Sequence, residues 1–66
     1  MSRLSFKIFC VESYAQHTGQ ASNHIYDLFA REKLIDLLDT DYEDLHGMGK
    51  EYLMQFFDEY LKGGAA

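Results

Sequence analysis

The sequence contains no proline and no tryptophan, and its five glycines stand only at positions 19, 47, 49, 63 and 64. Without proline nothing forces a break inside a helix, so the few glycines are the natural boundaries. A single cysteine, Cys10, excludes an intrachain disulfide. With no export signal visible, it points to a reducing, cytoplasmic setting. No apolar run approaches the roughly 18 residues of a membrane span. Bases are also scarce, six against eleven acids, for a formal charge of -5. That charge repels phosphates and anionic lipid, which leaves nucleic acid and membranes as poor partners. A helix-turn-helix reading needs a basic recognition helix, and the last helical stretch sets Lys50 and Lys62 against Glu51, Asp58 and Glu59.

Aromatic residues are plentiful: five Tyr and five Phe make up 15% of 66 residues. A chain this short forms one domain and hides only about 60% of the surface that its unfolded form exposes. Its core therefore benefits from large rings, with a surplus available for an interface.

The positions Leu4, Ile8, Val11 and Ala15 fall on one helical face, although Leu4, Phe6, Ile8 and Cys10 also alternate as a strand would. Continuation through Val11 and Tyr14-Ala15 favours helix over extended chain. After Gly19, with Thr18 or Ser22 as a cap, Ala21, Ile25, Leu28 and Phe29 form a second amphipathic stripe. A third helix begins near Lys33 with Leu34, Ile35, Leu37 and Leu38, then bends or restarts at Asp39-Thr40-Asp41. Thr40 followed by Glu43 has the capping-box spacing, and the short piece carrying Tyr42 and Leu45 is expected to stop at a left-handed Gly47. The last helix runs from Lys50 to about Lys62 and presents Leu53, Phe56, Phe57, Tyr60 and Leu61. Asp27 with Arg31 and Asp58 with Lys62 have the spacing of surface ion pairs. The expectation is an all-α compact bundle of about four short helices over residues 1–62, with 63–66 as a frayed tail.

Phe9-Cys10-Val11-Glu12, Ile25-Tyr26-Asp27-Leu28-Phe29, and the string Leu45-His46-x-x-Gly49-x-Glu51-Tyr52 together resemble a family of very small bacterial helical proteins of unknown function. The likeness covers residues 8 to 61 and is most specific at Leu45, His46, Gly49, Glu51 and Tyr52. Members are associated with genes next to ADP-ribosyltransferase-like toxins. The resemblance thus implies a regulatory or neutralising binding role.

The chemistry-bearing residues make no recognised constellation. Asp39-x-Asp41-x-Glu43 imitates the start of an EF-hand loop, but Asp44 stands at the turn glycine and Lys50 at the bidentate glutamate. Cys10, His17, His24 and His46 lack metal-site spacing. A Cys-His nucleophile pair would still need an oxyanion site and a pocket, for which a chain of this length has little room. No cofactor and no enzymatic activity are expected. His46 is placed to cap the last turn of its short helix.

With Leu4, Ile8, Val11 and Ala15 inward, Phe6, Phe9 and Cys10, with Ser13 beside them, turn outward as a candidate partner interface. The competing arrangement sets this helix centrally in the bundle. Two phenylalanines and a small core favour the interface. The reading is a protein–protein interaction module, either a partner of a neighbouring toxin-like enzyme or a self-assembling homodimer. Because the acidic run reads as a solvated surface, chelator is expected to leave the thermal midpoint unchanged and added calcium not to raise it. A calcium-dependent rise that Asp41→Asn abolishes would overturn that reading.

Overall fold

Helix α1 (Arg3–Thr18) starts where the hydroxyl of Ser2 accepts the free amide of Ser5 at 3.1 Å, an N-cap that satisfies one orphan donor. The computed structural model describes residues 2–63. The helix ends at Gly19, whose φ of 74° turns the chain so that the amide of Gln20 also reaches the carbonyl of Ala15, at 3.0 Å. The chain from residue 4 to 10 is therefore helical, and the strand-like alternation there is incidental.

Helix α2 (Ser22–Arg31) begins without the expected cap. Ser22 lies one residue inside it and donates its hydroxyl to Glu12 Oε1 at 2.7 Å, while Thr18 turns back onto the carbonyl of Tyr14 at 3.0 Å. At the far end Lys33 takes a left-handed conformation with φ 67°, which costs a residue with a Cβ about 1–2 kcal/mol. Tyr60 braces this turn by donating its hydroxyl to the carbonyl of Glu32 at 2.8 Å.

Helices α3 (Leu34–Thr40) and α4 (Tyr42–Leu45) meet at Asp41, where the bend was expected. The capping box is absent. Thr40 is still helical, and Asp41, with φ -103° and ψ 22°, lacks the extended backbone that aims a side chain at the new helix. Gly47 is not left-handed either, since α4 ends on His46 with helical angles. Helix α5 (Lys50–Gly63) follows Gly49, whose carbonyl accepts the amide of Leu53 at 3.0 Å. It includes Gly63; the rest of the expected tail, 64–66, lies outside the described residues. The fold is all-α, with no strand among the described residues.

Helix α1 lies at the centre and touches α2, α3 and α5. Phe6, Cys10, Val11, Ser13, Tyr14 and Ala15 are all buried, whereas Leu4 and Ile8 are 66% and 54% exposed. Val11 and Ala15 face inward as expected, but Phe6, Cys10 and Ser13 are inside where Leu4 and Ile8 were expected. A helix surrounded on three sides buries more than one stripe, and the rings of Phe6 and Tyr14 gain more from burial than Leu4 and Ile8 do. Tyr14, Phe29 and Phe57 join α1, α2 and α5, with Phe29 and Phe57 centroids 5.0 Å apart. Phe6 meets Tyr42 of α4 edge-on at 5.6 Å. The Cα radius of gyration, 10.8 Å, is about that of a compact chain of this length.

The central position of α1 separates two substitutions. Phe6→Ser should cost about 3–5 kcal/mol in urea unfolding, enough to unfold much of a domain this small. Leu4→Ser should stay within about 0.5 kcal/mol of wild type. Equal effects would overturn this packing.

Candidate functional site

The residues expected to face a partner are not free to do so. Phe6, Cys10 and Ser13 are buried and Phe9 is half-buried against the core. What α1 leaves outside is its other apolar edge. Leu4 and Ile8, beside the buried Val11, line a groove of about 310 Å³ whose opposite wall is Asn23 and Tyr26 of α2, with Ile35 of α3 also lining it. Tyr26 is 53% exposed, comparable to Ile8. Ser22 and Glu12, joined by their hydrogen bond, also line the groove, and Tyr26 lies a turn further along α2.

Polar groups border it. Lys7 Nζ pairs with Asp39 Oδ2 at 3.0 Å, and Arg3 is drawn away over the Tyr42 ring at 4.9 Å. The carboxylate of Glu12 accepts only the neutral hydroxyl of Ser22 among these contacts. Sequence reasoning assigned Leu4 and Ile8 to the core. The signal that could have placed them outside was the size of the rings competing for the same helix.

A second polar cluster lies between the end of α1 and α5. Asp58 accepts the hydroxyl of Tyr14 at 2.7 Å on Oδ1 and Nε2–H of His17 at 2.9 Å on Oδ2. The hydrogen bonds from His17 and Tyr14 hold its carboxyl below its ordinary value of 3.8. Burial, helped by Asp58, pushes the Tyr14 phenol up to about 12. Both Asp58 oxygens are thus engaged with α1, and the expected pairing with Lys62 gives way to His17. The Asp27–Arg31 pair is likewise absent among the described residues. Burial also pushes the Cys10 thiol up to about 12, which removes the thiolate that nucleophilic chemistry needs.

The signature residues divide between structure and surface. Leu45 is buried, and Gly49 supplies the carbonyl that starts α5. His46 donates Nδ1–H to the carbonyl of Tyr42 at 2.8 Å and stacks on its ring at 4.3 Å, so it caps α4 as its position suggested. Glu51 and Tyr52 are exposed, with Tyr52 stacked on Phe56 at 6.5 Å. Among the described residues no group of three or more His, Cys, Asp or Glu side chains converges as a metal-binding cluster.

Because Asp58 is a stronger acid in the folded chain than in the unfolded one, its contribution is complete above the ordinary carboxylate range. It fades as pH falls through the lowered folded value. Asp58→Asn should therefore lower stability at pH 7 by about 1 kcal/mol, less than a buried charged hydrogen bond contributes because the site is half exposed to screening solvent. The same variant should flatten the loss of thermal midpoint below about pH 4. An unchanged acid limb would remove Asp58 from that role.

No curated protein and no solved structure matches the chain. A family model does match residues 5–63, nearly the whole of the described fold, and the chain belongs to that family, described as Protein of unknown function (DUF3791).

Proposed function

We propose that the protein is a protein–protein interaction module without chemistry of its own, and that another protein docks in the groove between α1 and α2. The observation that carries this reading is the joint exposure of Leu4, Ile8 and Tyr26 around one cleft in a 66-residue chain. Apolar side chains gathered in this way are worth covering, whereas scattered ones are not. The raised thiol of Cys10 supports binding over cysteine catalysis. Asp58, His17 and Tyr14 are already committed to joining two helices.

The partner is a different protein and not a second copy, because two chains of charge -5 repel. The family resemblance makes the product of a neighbouring bacterial gene, an ADP-ribosyltransferase-like toxin, the leading identity. The complex would form in the cytoplasm and restrain that enzyme. A homodimeric structural protein is the rival outcome.

A photo-reactive benzoylphenylalanine at position 8, compared with one at exposed position 55 of α5, tests the reading in lysate of the producing organism. An adduct with another protein is expected at position 8 alone, and Leu4→Ser should diminish it. No adduct, or equal adducts at both positions, would overturn the docking site. An adduct of twice the chain mass would replace it with self-assembly.

A further inference from the structure

The groove has a charge pattern as well as a shape. Lys7 on its wall is neutralised by Asp39 at 3.0 Å and offers little to an acidic partner. Glu12 is different. Its hydrogen bond is to the uncharged Ser22 hydroxyl at 2.7 Å, and among the described residues no Lys, Arg or His lies within ion-pair distance of it. The chain around it is acidic, at -5 overall. Covering the groove removes water from this carboxylate, and burying an unpaired charge is costly unless the occupant brings a cation.

The shape restricts the occupant further. About 310 Å³ is at the small end of binding clefts, room for a few side chains and not for a broad folded surface. No strand exists among the described residues, so an extended peptide has no sheet edge to join. Tyr26 is the one aromatic among the groove-lining side chains, less than a polyproline groove uses. An amphipathic helix presents side chains at i, i+3 and i+4 as one compact cluster, which suits this site.

Resting on the docking reading above, we propose that the occupant is a basic amphipathic helix. Its apolar face seats between Leu4, Ile8 and Tyr26, and one lysine or arginine pairs with Glu12. The variants that test this are mild. Ile8 is already exposed, and Glu12→Gln keeps an oxygen for Ser22 while removing the charge.

The probe is a 14-residue helical peptide with leucines at i, i+3, i+4 and i+7 and lysines elsewhere, beside its glutamate counterpart. Binding is followed by fluorescence anisotropy and by amide shifts of the labelled protein. The lysine peptide is expected to bind and shift Ile8, Glu12 and Tyr26. Ile8→Ser should weaken it about tenfold, Glu12→Gln about threefold, and the glutamate peptide should not bind. If both peptides bind equally and Ile8→Ser weakens both, the groove stands and the basic partner falls. If the lysine peptide shifts only α4 and α5 and ignores Ile8→Ser, the docking reading falls with it. Failure of both peptides to bind overturns the proposal.

Discussion

Cys10 and Phe6 sit where α1 is enclosed by its neighbours, and their near-complete burial fixes the rotation of that helix about its axis. Once these two and Tyr14 point inward, Leu4 and Ile8 have nowhere to go but the edge beside α2. The groove is thus a by-product of core packing and not a separate device. The rings of Phe6 and Tyr14 decide the matter, because a buried aromatic contributes more than the leucine and isoleucine that it displaces. Everything proposed for the surface follows from that choice in the interior.

Polar ties then hold the shell to the central helix at both ends. Lys7 and Arg3 reach Asp39 near its start, at 3.0 and 3.4 Å. Tyr14 and His17 reach Asp58 near its finish. None is fully buried, so each contributes modestly next to the aromatic cluster. Their larger effect is on register. They link residues 32 to 44 positions apart, which sets where α3 and α5 cross α1. Several of the acids crowded into this sequence are structural partners.

Much of the architecture was legible from periodicity. Ile25 and Phe29 of α2 and Leu53 and Phe57 of α5 are buried as their spacing requires, because each of those helices has one apolar face and one polar face. Met54 joins them, although the apolar face read from the sequence omitted it. Helix α1 defeated the same reasoning. It is apolar on adjoining faces, and a stripe drawn through Leu4 and Ile8 is as regular as one through Phe6, Cys10 and Tyr14. Periodicity finds a face but cannot count neighbours. The capping box failed for a local reason: Thr40 and Glu43 have the right spacing, yet Asp41 leaves helical space without reaching the extended backbone that a cap needs. His46 was readable because it stands at a helix end, where its ring adds a second donor to the Tyr42 carbonyl that already takes its own backbone amide.

The seclusion of Cys10 has a further consequence for how the molecule can be watched. It is the one thiol in the chain and is fully shielded at the junction of the central helix with its neighbours. A thiol reagent can reach it only when α1 lifts from that junction, so the rate of labelling reads how often the bundle breathes open. The protein thereby carries an internal clock for its own opening, silent while the helices remain closed.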